Sequence, residues 1–148
     1  MKPAPQTPVL GKLVVDANVL VGALLRDSTN RNLILHGQLD LHAPEWLWDE
    51  FERNRSLLLK KSRATGASLD LLIERLQDQV RSIPMATIEQ HVQTALKRVG
   101  DANEYDAPYV AAAIAIEGGV WTHDKTLGEL AGVPCFTTGQ ILAALDEQ

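Results

Sequence analysis

Short apolar runs alternate with helical segments through the whole chain, and this alternation constrains the fold more than any other feature. Five runs have the length and β-branched or aromatic content of strands: 12–15 (KLVV), 40–43 (DLHA), 82–87 (SIPMAT), 119–122 (GVWT) and 134–138 (PCFTT). One helix or a pair of helices separates each run from the next. The order predicts an α/β fold, a three-layer α/β/α sandwich with a mainly parallel central sheet.

Local signals suggest where the helices begin and end. Segment 18–27 predicts a helix that leaves the first strand, and Ser28 or Thr29 is expected to cap the next one. Pro44 suits the first turn of a long helix over 45–64, which Gly66 would break, and Ser68 is expected to cap a helix over 68–81. Further helices are predicted over 88–99, 106–118, 125–132 and 139–148, with a loop over 101–105.

Length and composition predict one domain over 12–148, preceded by an extended proline-rich tail over 1–11. The tail lacks the continuous apolar run of a signal peptide, so the expected compartment is the cytoplasm. A single cysteine, Cys135, excludes an internal disulfide and a cysteine zinc site. The net charge of −5 provides no overall attraction to polyanions, so nucleic-acid binding would require metal ions or a local basic patch.

Four carboxylates occupy positions that a parallel sheet would bring to one edge. Asp16 directly follows the first strand, Asp124 follows the fourth, Asp106 begins a very apolar helix, and Glu50 lies about two turns into the helix after the second strand. Ligands in such folds bind beyond the carboxyl ends of the strands. Acids that crowd together need a neutralising cation, and an all-oxygen ligand set favours one or two Mg²⁺ or Mn²⁺ ions. The pattern therefore predicts metal-assisted chemistry on a phosphodiester.

Three segments carry a family resemblance: VVDANVLVGALL, APEWLWDEF and DAPYVAAAIAIEGGVWTHDKTL. In this order they resemble the four acidic motifs of PIN-domain nucleases, especially the VapC-type toxins. The resemblance implies a metal-dependent endoribonuclease in which metal-activated water attacks RNA, with Asp16, Glu50, Asp106 and Asp124 as catalytic residues and metal ligands. It also implies a homodimer silenced by a partner antitoxin.

Some neighbours of these acids have uncertain roles. The family often has a hydroxyl residue where this chain has Ala17, while Asn18 keeps the next polar position. Asn18 and Thr122 are predicted to support the site, Asn18 through the water shell or Asp16 and Thr122 by orienting water or phosphate. Each of the three aspartates is alternatively a simple helix cap. Asp49 adjoins Glu50 and competes with it as the acid of the second motif, although Glu50, followed by apolar Phe51, fits better. Asp101 and Glu104 lie in the loop before Asp106, and each is an outer ligand or a solvated charge.

Basic and aromatic side chains offer possible RNA contacts. One basic run lies along the helix predicted after Pro44: Arg53, Arg55, Lys60, Lys61 and Arg63. It is the local patch that could attract RNA, and the alternative is a solvated helix face. His123 is a surface residue or a general base. The tryptophans stack on bases or belong to the core, and apolar context favours the core for Trp46 and Trp121.

Other functions compete with the nuclease. A haloacid-dehalogenase-like phosphatase also has an aspartate after an apolar strand, but it needs a second aspartate at the position of Asn18. A phospho-aspartyl receiver needs a late-strand lysine, and Lys125 does not fit. A non-catalytic RNA- or protein-binding module and a housekeeping nuclease without an antitoxin remain alternatives. The apolar faces of segments 31–35 and 68–80 are possible dimer surfaces.

Overall fold

A computed structural model describes residues 10–62 and 64–146. Its sheet has five parallel strands in the order β3-β2-β1-β4-β5. The strands are β1 Lys12–Val15, β2 Asp40–Pro44, β3 Val80–Ile83, β4 Gly119–Trp121 and β5 Cys135–Phe136. The predicted parallel α/β/α sandwich is confirmed. Because β1 lies in the middle, residues that follow it face the centre of the carboxyl edge.

Ten α-helices in the described residues connect and cover these strands. They are α1 Ala17–Leu25, α2 Ser28–Leu35, α3 Trp46–Arg53, α4 Arg55–Ser62, α5 Gly66–Gln79, α6 Met85–Glu89, α7 Val92–Val99, α8 Ala107–Ile116, α9 Lys125–Leu130 and α10 Thr138–Asp146. A 3₁₀ segment, Asp101–Asp106, joins α7 to α8. No helix in the described ranges is long and apolar enough to span a membrane.

The two faces of the sheet support two separate hydrophobic cores. Leu13 and Val15 point into one core with side chains of α1 to α5 and α10, while Val14 points into the other with α6 to α9. This alternation follows from the period of two in a strand, and all three side chains are fully buried. The central strand is therefore packed on both faces, and this packing fixes the position of the residue that follows it, Asp16.

Helix α8 lies directly across the middle of the sheet. Ala111, Ala112 and Ala113 are fully buried, and their small side chains allow the helix to pack closely on β1, β2 and β4. The helix returns from the carboxyl edge, so its first turn lies at that edge. Asp106, immediately before the helix, is thereby carried to the end of the sheet where Asp16 and Asp124 follow their strands.

The prediction of one long helix over 45–64 is wrong. Pro44 ends β2, and the helix is interrupted at Asn54 to give α3 and α4. The backbone N–H of Asn54 and its side-chain Nδ2 both donate to the carbonyl of Glu50, each at 3.0 Å. Because the amide side chain competes for a helical carbonyl, it ends the first helix.

Two predicted caps are also wrong by a few residues. Asp27, not Ser28 or Thr29, caps α2 by accepting from the backbone N–H of Asn30 at 3.0 Å. Thr65, not Ser68, caps α5. Gly66, predicted to break the preceding helix, is the first residue of α5. Several cap-competent residues stand side by side in each segment, so sequence preference alone does not choose among them.

Other boundaries differ less. The predicted helix over 88–99 is divided into α6 and α7, and the predicted loop over 101–105 lies within the 3₁₀ segment Asp101–Asp106. The strands predicted at 82–87 and 134–138 are shorter and the first begins earlier. The predicted tail over 1–11 falls mostly on residues 1–9, outside the described residues. Leu10 packs against the first core.

Candidate acidic site at the carboxyl edge of the sheet

Asp16 is a buried carboxylate with a hydrogen bond to each oxygen. Its exposed fraction is 8%, and the Thr122 hydroxyl donates to its Oδ2 at 2.8 Å. Its Oδ1 accepts a longer bond, 3.4 Å, from the backbone N–H of Asn18 at the start of α1. Asp16 is therefore a helix cap, and its second oxygen is oriented by a residue from the neighbouring strand end. These bonds offset part of the cost of burying the charge.

Thr122 links this buried aspartate to the exposed one on the next strand. Its hydroxyl donates to Asp16 and accepts from the backbone N–H of Asp124 at 3.1 Å. Asp124 Oδ1 in turn accepts from the N–H groups of Thr126 and Leu127 at the start of α9. One threonine, only 2% exposed, thus sets the spacing between the two acidic loops.

Asp106 stands opposite these two acids, and its own side chain caps nothing. It occupies the N-cap position of α8, but its side chain makes no capping hydrogen bond. Burial raises the pKa of the Asp106 carboxyl, and the charges of Asp124 and then Asp16 raise it further. Repulsion of this kind requires that the three carboxylates be neighbours. The capping alternative is therefore not supported at Asp106.

The charge of Glu50 acts on a buried tyrosine, Tyr109, whose pKa is also affected by other acids of the site. Burial raises the pKa of the Tyr109 phenol, and the charges of Asp16, Glu50 and Asp106 add to the rise, against a backbone hydrogen bond at Ala17. Tyr109 therefore has three acids from three separate elements within electrostatic range. The phenol lies on α8 below the acidic edge and packs edge-on against Trp46, with ring centroids 6.0 Å apart.

The four acids lack a cationic partner among the described residues. Ion pairs in the described ranges join His42 to Asp40 and Arg55 to Asp70, and neither involves the acidic edge. Within these same ranges, no three His, Cys, Asp or Glu side chains stand close enough to hold one metal ion. The acids thus share one electrostatic neighbourhood without forming a closed ligand cage.

A family model described as PIN domain matches residues 14–146, which includes all four acids. The chain belongs to the PIN domain family. PIN domains have a nuclease fold and are generally metal-dependent, which agrees with a group of carboxylates that no cation pairs with in the described part of the chain. A search of curated proteins found no match.

The additional acids of this PIN domain do not act on the two groups of the site whose pKa is shifted, Asp106 and Tyr109. Asp49, Asp101 and Glu104 are exposed, and none of them contributes to the pKa shift of Asp106 or Tyr109. Asn18 is exposed too, and its hydrogen bond to Asp16 is donated by the backbone N–H and not by the amide side chain.

The described basic residues of the run predicted to contact RNA lie on two helices, α3 and α4. The break at Asn54 separates Arg53 from the others, and Arg55 is bound to Asp70 by two hydrogen bonds of 2.7 and 2.8 Å. Lys60 and Lys61 are exposed in the last turn of α4. Arg63 lies outside the described residues. Trp121 and Trp48 are buried in the first core, and Trp46 is packed against it.

Sequence reasoning missed a polar cluster beside the PIN acidic edge. Asn30, on α2, is 1% exposed and accepts from the Thr138 hydroxyl at 2.7 Å, while Trp121 Nε1 donates to the same hydroxyl at 3.1 Å. His123 Nε2 lies 3.5 Å from Asn30 Nδ2 and 3.4 Å from Thr138 Oγ1. The cluster ties α2 and α10 to the loop before Asp124. Asn30 lies 93 positions from His123 and 108 from Thr138 along the chain, and no local motif marks the cluster.

Proposed function

We propose that this PIN domain is a metal-dependent endoribonuclease, in which Asp16, Glu50, Asp106 and Asp124 hold one or two Mg²⁺ or Mn²⁺ ions. The arrangement of Asp106 supports the proposal: it begins α8 at the edge of the sheet where Asp16 and Asp124 follow their strands, their charges raise its pKa, and no cation in the described residues pairs with these acids. An all-oxygen donor set suits these hard cations.

The residues of the proposed site form a rigid part and an adjustable part. Thr122 holds Asp16 and the Asp124 loop in place, while Glu50 and Asp106 approach from helices on two sides. When bound, a divalent ion acidifies water and stabilises negative charge on the phosphoryl group in an in-line displacement. Asn18 and Thr122 support the acids, and no side-chain nucleophile is required.

Cleavage of labelled single-stranded RNA tests the proposal. The wild type is incubated with Mg²⁺, Mn²⁺ or EDTA, and duplex RNA and single-stranded DNA of the same sequence are compared. We expect metal-dependent internal cuts in RNA that EDTA and Asp16→Asn abolish. If the metal-supplemented wild type cuts no faster than Asp16→Asn, the catalytic proposal fails and a non-catalytic binding module replaces it.

Thermal unfolding gives a readout that does not depend on turnover. Metal that binds the folded state stabilises it by about 2.7 kcal/mol at roughly 100 times Kd, which raises Tm by several degrees in a protein of this size. We expect Mn²⁺ to raise the Tm of the wild type and to raise that of Asp106→Asn much less. Equal shifts in the two proteins would place the ion elsewhere.

The biological role we propose is the toxin of a toxin–antitoxin pair in the cytoplasm. Its support is the sequence resemblance to VapC-type toxins. Expression of the wild type should arrest growth, co-expression of the neighbouring gene's product should relieve the arrest, and Asp16→Asn should be harmless. Growth without arrest, together with RNA cleavage in vitro, would favour a housekeeping nuclease.

A homodimer is the assembly we propose. Apolar faces are expected on segments 31–35 and 68–80. In the second of these, helix α5 buries Leu69 and Leu76 in the first core but leaves Leu71 half exposed. Light scattering of the purified chain should give twice the monomer mass, and Leu71→Lys should shift the mass toward the monomer. A monomeric wild type would end this proposal.

A further inference from the structure

A pocket of about 240 Å³ opens beside Asp124, on the β5 side of the acidic edge. Cys135 and Phe136 of β5 provide apolar lining, and Lys125 and Gln140 provide polar lining from the first turns of α9 and α10. Thr122 also borders it. The pocket therefore touches two residues of the proposed catalytic edge, although no role has been assigned to it.

The wall formed by α10 is fixed before any ligand binds. Thr137 and Gln140 form a reciprocal capping box: Gln140 Oε1 accepts from the Thr137 N–H at 2.9 Å, and Thr137 Oγ1 accepts from the Gln140 N–H at 3.3 Å. The next residue, Thr138, is bonded to Trp121 and to buried Asn30. The first turn of α10 is therefore anchored to β4 and α2.

Two polar groups of the pocket are left without protein partners in the described residues. Gln140 uses its Oε1 for the capping box, so its Nε2 remains an available donor. Lys125, the cation of the lining, makes no ion pair within the described ranges and lies next to Asp124. An apolar lining with one amide donor and one ammonium group matches a flat heterocycle that carries a phosphate.

We propose that this pocket binds the nucleobase adjacent to the cleaved phosphodiester, with the ring against Phe136 and Gln140 Nε2 donating to its edge. Lys125 contacts the phosphate on the side away from Asp124. The volume is below the roughly 300–1,000 Å³ of pockets that enclose drug-sized ligands, and it suits one base. This inference rests on the proposed nuclease function and gives that function a subsite for an unpaired base.

The only cysteine of the chain reports on this pocket directly. Cys135 is half buried, and burial together with the charge of Asp124 raises the pKa of its thiol, so alkylation with iodoacetamide is measured at alkaline pH. The probes are the four ribonucleoside 5′-monophosphates, which the wild type does not cleave, each with and without Mg²⁺. At least one should slow alkylation of Cys135 several-fold at saturation, whereas inorganic phosphate should not.

Variants of Gln140 separate base recognition from stability of α10. Gln140→Ala should need about fivefold more nucleotide for half protection, the loss of one hydrogen bond, and Gln140→Glu keeps the capping acceptor but removes the amide donor. Gln93→Ala, an exposed glutamine on α7, is the control and should match the wild type. Lys125→Gln should weaken protection by the nucleotide more than protection by the nucleoside.

The outcomes distinguish this inference from the function on which it rests. If the wild type cuts RNA but no nucleotide protects Cys135, the base pocket is wrong and the nuclease stands. If nucleotides protect Cys135 and RNA is not cut, the pocket is a nucleotide site, but the nuclease fails and the assignment of a base next to a cleaved phosphodiester fails with it. Equal protection by inorganic phosphate and by nucleotides would make the pocket an anion site and overturn base binding.

Discussion

The two sides of the acidic edge are built differently. On the β1 side, Asp16 is buried, with a hydrogen bond on each carboxylate oxygen and Thr122 held against it. On the other side, Asp124 is exposed, and Asp106 is half buried with no capping bond. Asp16 is a preformed fixed point, whereas the Asp106 side chain has no capping hydrogen bond and is repelled by Asp124 and Asp16.

The difference would allow a carboxylate site to be rigid and still adjust to the metal ion that we propose. Buried hydrogen bonds keep one ligand at a constant position, which lowers the ordering cost of binding. Repulsion of Asp106 by Asp124 and Asp16 opposes a closed cage, in agreement with the absence of a three-ligand group in the described residues. A divalent cation would supply the attraction that draws the adjustable side toward the fixed one.

Removing the charge of the fixed side should have the largest effect. Asp16→Asn keeps an efficient helix cap but loses an anionic ligand, so kcat/KM for RNA cleavage should fall at least about 100-fold. Asp27→Asn is the matched control, since Asp27 also caps a helix but is not among the charges that act on Asp106 or Tyr109. Similar losses in both variants would mean that Asp16 acts through capping alone.

Thr122→Val should reduce both stability and activity. The substitution leaves Asp16 Oδ2 and the Asp124 N–H without the hydroxyl, so urea denaturation should show a loss of roughly 1–3 kcal/mol in the free energy of unfolding. Loss of orientation should lower kcat/KM by roughly 10–100-fold. Thr122→Ser keeps the hydroxyl and should recover most of the rate. If valine weakens stability alone, Thr122 does not position the site.

Sequence patterns predicted the parallel sheet and the acids that follow its strands, because both depend on local information. A β-branched run identifies β1, and strand direction then places Asp16 and Asp124 at one edge. The bond between Thr122 and Asp16 joins residues 106 positions apart, and no periodicity encodes such a pairing. The predicted support role of Thr122 stays a prediction, but its partner is now known.

The features that sequence reasoning missed depend on competition or on tertiary contact. Asn54 divides a run that otherwise favours a helix, because its side chain takes a carbonyl of the preceding turn. The pairing of Asn30 with Thr138 joins α2 to α10, and the pocket beside Asp124 forms between α9, β5 and the start of α10. Neither follows from the residue types nearby in the chain.

Asp124 combines a cap with a proposed ligand, and two substitutions separate these roles. Asp124→Ala removes the acceptor for Thr126 and Leu127, so the free energy of unfolding should fall by about 1 kcal/mol. Asp124→Asn keeps the cap and should cost only a few tenths of that. Both should lose most RNA cleavage if the charge binds metal. A fully active asparagine variant would leave Asp124 with the structural role alone.

The smallest expected effect is the pH dependence of the metal-free protein, which measures repulsion on the adjustable side. Burial and the charges of Asp124 and Asp16 raise the pKa of Asp106 above its ordinary value of 3.8. The folded state therefore binds this proton more tightly than the unfolded state does, and the resulting stability is present below 3.8 and lost as pH rises through the folded value. Denaturation in EDTA should show the wild type losing stability relative to Asp106→Asn over that window, while Asp101→Asn follows the wild type. Parallel curves for wild type and Asp106→Asn would mean that the three acids do not interact.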